Sequence, residues 1–137
     1  MAATARGIQV TGLRELRREL KRVSAQLPRE LAKVNHEAAE IVAAEARRRA
    51  PVRSGKLRGS VRALRQQARG VVAAGSARVP YAGVQEFGGT VPRFHSASRT
   101  TIPAQPYVYP ALGAKRDEVI DAYGEALGDL MRRAFPG

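Results

Sequence analysis

The sequence predicts an α+β fold: a small antiparallel or mixed β-sheet packed against two to three α-helices, with one long mobile loop. Apolar residues recur at helical spacing in two regions, one before residue 50 and one after residue 110. Between them, residues 57–63 alternate in polarity as strands do, and residues 88–106 are rich in Gly, Pro, Ser and Thr. The 137 residues fit one domain. We divide it into 1–50 (arm and two helices), 51–87 (sheet region), 88–106 (loop) and 110–134 (last helix).

The first fifty residues predict a short extended arm followed by two helices. Ile8 and Val10 flank Gln9 at strand spacing, and they form the arm. The next apolar residues recur every three or four positions, which predicts an amphipathic helix: Leu13, Leu16, Leu20, Val23 and Leu27. A second helix is expected from Pro28 to Arg49, because proline is favoured in the first turn and Pro51 disfavours the helical conformation at Ala50.

The middle of the chain predicts a hairpin and a helical turn. Leu57 to Ala63 reads as a strand whose second face carries Arg58, Ser60 and Arg62. Residues 66–70 are polar enough to turn, so that residues 71–74 pair back as the second strand. The segment 81–88 predicts a short helical turn closed by glycines, with its aromatic side chains in the core.

The last third of the chain predicts a loop and a helix. A connection longer than about 12 to 15 residues without regular structure is usually mobile or functional, so we expect residues 88–106 to order on a partner. A final helix is expected from Pro110 to residue 134. Asp117 lies early in this helix and Arg133 lies late, which matches the direction of the helix dipole.

Positive charge is concentrated in the first 80 residues, which hold 18 basic and 6 acidic side chains, whereas residues 81–137 hold 6 of each. Residues 46–79, which we call the basic block, contain ten Arg or Lys and neither Asp nor Glu. This pattern indicates a polyanionic partner, and a solvated basic face is the alternative explanation. The candidate contact residues are Arg47, Arg48, Arg49, Arg53, Lys56, Arg58 and Arg62.

Motifs for catalysis are not found in the sequence. The chain has no cysteine, which excludes disulfides and thiolate chemistry. Ser54-Gly55-Lys56 does not fit a phosphate-binding loop, because Ala50 and Leu57 stand where that loop needs glycine and Ser or Thr. His36 has no second histidine at metal-binding spacing. We therefore expect no enzyme, no cofactor and no metal site. Without a membrane span or signal segment in the sequence, we expect synthesis in the cytoplasm.

Three segments, in this order and spacing, resemble the tail-completion or head–tail joining proteins of long-tailed double-stranded DNA phages. They are Ala50 to Val61, Tyr81 to Gly88 and Pro106 to Leu112, and the likeness covers nearly the whole chain. The resemblance marks a set of candidates for packing or subunit contact: Tyr81, Glu86, Phe87, Gly88, Pro106, Tyr107, Tyr109 and Pro110. We expect Tyr81 and Phe87 to pack the sheet against the last helix. Of Tyr107 and Tyr109, either one is core and the other a contact, or both are partly buried in one subunit.

The resemblance implies a structural neck protein of the virion that forms a ring of about six copies. Its implied partners are neighbouring neck, connector and tail-tube proteins, and double-stranded DNA that passes through the lumen without sequence-specific contacts. No membrane partner is expected. The basic block then faces either the DNA or acidic patches on a neighbouring ring. The alternative function is a free nucleic-acid-binding module, without sequence specificity, that uses the basic first half.

Overall fold

The computed structural model describes residues 8, 10–51, 55–66, 69–76, 79, 81–92 and 99–136. It confirms the predicted α+β class, because helices and antiparallel hairpins both occur in this part of the chain. The helices are α1 (Leu13–Val23), α2 (Leu27–Arg49), α3 (Lys56–Ser60), α4 (Ala82–Phe87) and α5 (Val108–Ala134). The strands are β1 (Arg62–Leu64), β2 (Val71–Ala73), β3 (Gly89–Pro92) and β4 (Arg99–Ile102).

The long helices α2 and α5 form the centre of the fold and run antiparallel. Leu27 and Leu31, near the start of α2, share one apolar cluster with Leu130 and Ala134 at the end of α5. The second half of α2 shares another cluster with the start of α5, where Ala111 is fully buried. Helix α5 has 27 residues, which makes it about 40 Å long. The two ends of the helix pair are therefore well separated places on the molecule.

Helix α1 packs onto the end of this pair where α2 begins. Leu20 is buried in the cluster formed there, and Leu13 and Leu16 are half-buried against it. These three leucines lie three and four residues apart, so they share one face of the helix. The predicted first helix is thus confirmed, and its other faces are exposed to solvent.

The predicted hairpin between residues 57 and 74 exists, but it is shorter than expected. Strand β1 pairs antiparallel with β2, with Arg62 opposite Ala73 and Leu64 opposite Val71. Gly70, just before β2, lies against α2: a Cβ added there would come within 2.7 Å of the Asn35 carbonyl oxygen. The absence of a side chain at Gly70 therefore allows the hairpin to sit directly on α2.

The strand predicted from Leu57 to Ala63 is wrong in its first half, which forms helix α3. Gly55 precedes this helix in the left-handed conformation, with φ of 78°, and the Gly59 N–H donates to its carbonyl oxygen at 2.9 Å. The buried residues are Leu57, Ser60 and Val61, which is helical spacing. The buried Ser60 hydroxyl donates to the Leu57 carbonyl oxygen at 2.7 Å and accepts from the Gly75 N–H at 2.9 Å, so the helical turn is fixed to the hairpin.

The loop predicted for residues 88–106 contains regular structure, so that prediction is wrong for β3 and β4. These strands pair antiparallel, with Gly89 opposite Ile102 and Pro92 opposite Arg99. The sequence of the two strands includes Thr, Val and Ile, residues whose branched side chains favour strands. Their β-branched content outweighed the Gly, Pro and Ser signals on which the loop prediction relied.

The last helix begins at Val108, two residues before the predicted start at Pro110. Proline fits near the start of a helix, and here it occupies the third helical position. Helix α2 begins one residue before the predicted Pro28 and ends as predicted at Arg49. The early start of α5 has a specific cause, which is the carboxylate described next.

Candidate functional site

The centre of the site is the Glu86 carboxylate, which caps the first turn of α5 from a distant part of the chain. It accepts hydrogen bonds from three successive backbone N–H groups: Tyr107 at 2.6 Å, Val108 at 3.0 Å and Tyr109 at 2.9 Å. The first N–H groups of a helix have no partner within the helix, and the helix dipole favours a negative charge beside them. Glu86 is only 5% exposed. Two of the motif segments therefore meet in one buried, charge-assisted contact.

Tyr107 fixes the same junction through its side chain. It is 1% exposed, and its hydroxyl donates to the Ala82 carbonyl oxygen at 3.1 Å. Burial raises the pKa of Tyr107 to about 12, and the Glu86 charge adds to the rise. The tyrosine is therefore neutral across the physiological range, and it holds α4 and α5 together by packing and by one hydrogen bond.

Gln85 and Gln105, on the two sides of the β3–β4 hairpin in the sequence, are hydrogen-bonded to each other beside this junction. The Gln105 N–H donates to the Gln85 carbonyl oxygen at 2.8 Å, and the Gln85 side-chain amide donates to the Gln105 side-chain oxygen at 2.9 Å. Gly88 follows α4 with φ of 73°, a left-handed conformation that favours glycine. The two chain segments that enter and leave the hairpin are thus held side by side.

An exposed aromatic pair lies on this junction. The rings of Phe87 and Tyr109 contact each other with centroids 5.7 Å apart and tilted by 47°. Phe87 is 51% exposed and Tyr109 is 38% exposed, and Tyr81 nearby in the sequence is 40% exposed. The expectation that Tyr81 and Phe87 pack in the core is therefore wrong. Helix α4 turns its buried side, Ala82 and Glu86, towards the protein, so Phe87 faces outward.

Three arginines of the basic block, at the end of α2, are bound to acceptors in the same chain. Arg47 Nε donates to the Val61 carbonyl oxygen at 2.9 Å, and the same guanidinium pairs with Glu40 at 2.8 Å. Arg48 and Arg49 both pair with Glu45, at 2.6 Å and 2.9 Å. The hydrogen bonds from Arg48 and then from Arg49 lower the pKa of the Glu45 carboxyl. Each of these arginines therefore has a role within the fold.

The other residues of the predicted set differ among themselves. Arg62 donates to the carbonyl oxygens of Ser60 at 2.7 Å and Gly75 at 3.0 Å, so it ties α3 to the end of the hairpin. Lys56 and Arg58 are exposed on α3 and have no acceptor in the described part of the chain. Arg53 lies outside the described residues. Only Lys56 and Arg58 are thus placed by the structure as cations of this set without a protein partner.

The described residues offer neither a metal-ligand cluster nor a membrane-spanning helix. Across the described ranges, no three residues of the types His, Asp, Glu or Cys lie together as ligands would. His36 Nδ1 and the Tyr123 hydroxyl are buried and have no hydrogen-bond partner among the residues described, and burial raises the pKa of Tyr123. His95 lies outside the described residues. Every helix of the described part is too short or too polar to traverse a bilayer.

Two functional features were missed by reasoning from the sequence, and both involve buried carboxylates. Glu45 and Glu86 are both buried, and the hydrogen-bond partners of neither were predicted from the sequence. Glu45 could have been found, because Arg48 and Arg49 follow it at the three- and four-residue spacing of helical ion pairs. Glu86 has no such local signal, because its partners lie more than twenty residues away.

A protein-family model matches part of the chain. The family model HK97-gp10-like, described as "Bacteriophage HK97-gp10, putative tail-component", matches residues 14–88. This range is more than half of the chain; it runs from α1 to the glycine that ends α4, and it includes Glu86. Comparison with curated proteins gives no match, and comparison with solved structures gives none. The match confirms the resemblance to phage joining proteins: the chain belongs to the HK97-gp10-like family of phage tail components and is thus a component of the virion.

Proposed function

We propose that the chain is a structural protein of the head–tail interface that assembles as a ring, of about six copies, between the capsid connector and the tail tube. In this role it is a tail-completion, terminator or connector protein, and its ring surrounds the passage of the DNA. Membership of a tail-component family supports a structural role among neighbouring neck and tail proteins. The observation that carries the proposal is the exposed Phe87–Tyr109 pair.

This aromatic pair suits a contact between subunits for two physical reasons. Aromatic side chains are enriched among the residues that contribute most to protein–protein binding. The backbone beneath the pair is already held by the Glu86 hydrogen bonds to α5, so little order has to be gained on association. A rigid, half-exposed pair of rings therefore favours docking against another protein over simple exposure to water.

The basic block supports the second part of the proposal, the lining of the DNA passage. Ring symmetry repeats each cation once per subunit, so the exposed Lys56 and Arg58 would form cationic circles. Arg48 pairs with Glu45 but keeps 75% of its side chain exposed, so it remains available to a second acceptor. Phosphate groups or acidic patches on a neighbouring ring are the two acceptors we consider. Arg47, Arg49, Arg53 and Arg62 stay candidates for the same surface.

A test of ring assembly uses Phe87→Ser and Tyr109→Ser, measured by sedimentation velocity and native mass spectrometry at rising protein concentration. We expect the wild type to associate into a closed ring and both variants to shift towards single subunits. The matched control is Phe135→Ser, which removes an aromatic ring of similar exposure at the opposite end of α5. Thermal unfolding of each single subunit should change little, since the rings are half-exposed.

Several results would contradict the proposal. A wild type that remains a monomer or dimer at all concentrations, while it binds duplex DNA, would instead favour the free nucleic-acid-binding module. Equal loss of assembly in Phe135→Ser would show that any exposed ring matters and would remove the assignment of Phe87 and Tyr109. Equal losses of assembly and of monomer stability in Tyr109→Ser would make that residue a packing residue.

A further inference from the structure

The outer face of α1 carries a row of cations that the basic block does not include. Arg14, Arg17, Arg18 and Lys21 are all exposed. Because successive residues of a helix are about 100° apart, these four side chains fall within an arc of about 100° on one face. The leucines that hold α1 on the α2–α5 pair lie on a different face, centred about 120° around the helix from the row. The row is therefore presented to solvent by a helix whose position is fixed.

These four cations are not neutralised by the protein. No acceptor for any of them is found among the residues that the structure describes. The acidic residues of α1 lie to one side of the row, and Glu19 pairs with Arg22 at 2.9 Å. In the basic block, by contrast, Arg47, Arg48, Arg49 and Arg62 all bind acceptors of the same chain. The largest group of unpaired cations on a single described helix is thus on α1.

The chemistry of this face favours phosphate over a protein partner. A protein interface needs an apolar or aromatic centre to be stable, and the four positions of the row offer none. Contacts to a nucleic-acid backbone need only positive charge in reach of the phosphates. The row extends over eight residues, from Arg14 to Lys21, or about 10 Å, along which a duplex presents about six phosphates. Four long side chains can reach several of them at once.

We infer that the outer face of α1 binds the phosphate backbone of duplex DNA without reading its sequence. This inference rests on the proposed function only for the presence of DNA near the ring. The face lies at the α2 start of the helix pair, about 30 Å along α5 from Tyr109. DNA binding and subunit contact therefore involve separate surfaces, and substitutions can affect one without the other.

The test measures fluorescence anisotropy of a labelled 30-base-pair duplex from about 50 to 300 mM NaCl, a range over which counterion release governs affinity. The test variant carries four substitutions: Arg14→Gln, Arg17→Gln, Arg18→Gln and Lys21→Gln. Its slope of log binding constant against log salt should be smaller than that of the wild type by about 3 to 4, since each phosphate contact contributes about 0.9. The matched control also loses three arginines and one lysine, all exposed and outside the basic block: Arg29→Gln, Lys33→Gln, Arg116→Gln and Arg132→Gln.

Three further measurements distinguish the possible explanations of a changed salt slope. A variant with Arg14→Lys, Arg17→Lys and Arg18→Lys should keep the wild-type slope, because the charges remain. An unchanged slope in the glutamine variant overturns the inference, as does an equal or larger reduction in the control. Unchanged DNA binding together with lost binding to polyglutamate also overturns it and assigns the face to an acidic protein. Sedimentation of the same samples reports ring assembly separately, so failure of the proposed function is distinguished from failure of this inference.

Discussion

Replacing Glu86 is the most direct test of the junction between α4 and α5. Two substitutions separate its parts: Glu86→Gln removes the charge but keeps one acceptor oxygen, and Glu86→Ala removes both oxygens. In the structure one oxygen accepts from Tyr107 and Val108, and the other accepts from Tyr109. A glutamine can keep the first pair of bonds, but its amide N–H then faces the Tyr109 N–H.

The expected losses follow from these contacts. Glu86→Gln loses one hydrogen bond and the interaction of a charge with the helix dipole, which together stabilise by about 2 kcal/mol. Glu86→Ala also leaves the N–H of the buried Tyr107 without an acceptor, which costs about 1 to 3 kcal/mol more. Water can reach the N–H groups of the half-buried Val108 and the exposed Tyr109, so their loss is only partial. We therefore expect a total loss of about 3 to 5 kcal/mol for Glu86→Ala.

The assay is urea unfolding followed by circular dichroism at pH 7, with thermal unfolding in parallel. For a chain of this length a loss of about 1 kcal/mol lowers Tm by roughly 4 °C, so Glu86→Ala should melt more than about 10 °C below the wild type. Glu125→Gln is the matched control, since Glu125 is an exposed glutamate of α5 without a partner in the described part of the chain. It should change stability by less than about 0.5 kcal/mol. A Glu86→Ala variant as stable as this control would refute the capping role.

Two further predictions concern the same end of the molecule. The pKa of Tyr107 is about 10 in the unfolded chain and about 12 in the fold. The free energy of unfolding should therefore fall by up to about 1.4 kcal/mol per pH unit between these two pH values. Tyr107→Phe should show a shallower fall in urea titrations at pH 9 to 12, and parallel curves would contradict this. Arg62→Gln should lower stability by about 1 kcal/mol or more, because two carbonyl oxygens lose a cationic donor. Unchanged stability with a reduced salt slope would make Arg62 a DNA contact instead.

Helices α1 and α2 could be predicted from the sequence because each repeats its apolar pattern over several turns. Helix α1 contains three leucines at regular helical spacing. Helix α2 has Pro28 near its start and Pro51 two residues after its end. Such patterns average over many residues, so no single position decides the prediction. The antiparallel pairing of β1 and β2 followed from one polar turn between two short apolar runs.

Short elements could not be predicted as reliably, because the spacing of a few apolar residues fits both the strand repeat and the helix repeat. Leu57 and Val61 lie on one face both in a strand and in a helix, since four residues are two strand repeats and about one helical turn. Only the burial of Ser60, which a strand would have placed on the opposite face, distinguishes the two. The strand prediction for α3 was wrong for this reason.

Long-range contacts explain why the start of α5 was misplaced. The sequence around Pro110 predicts a helix that begins at the proline, whereas the observed helix begins two residues earlier. Its first N–H groups are satisfied by Glu86, which lies more than twenty residues away in the chain. No window of local sequence contains both the helix start and its cap. The motif segments around Glu86 and Tyr107 are therefore best understood together, as the two halves of one junction.

The charge of a sequence segment also does not show which cations are free to bind a partner, because ion pairs in the fold involve residues outside that segment. The basic block has ten cations and no acid in its own sequence, yet Glu40 and Glu45, just before it, pair with three of its arginines. Backbone carbonyl oxygens, which no charge count includes, bind Arg62. Helix α1 has five basic and two acidic residues, so its sequence is closer to neutral than the basic block, but its acidic residues lie to one side of the outer row. Four exposed cations on one helix, with no ion pair in the described part of the chain, are therefore the reason why we assign phosphate contact to α1.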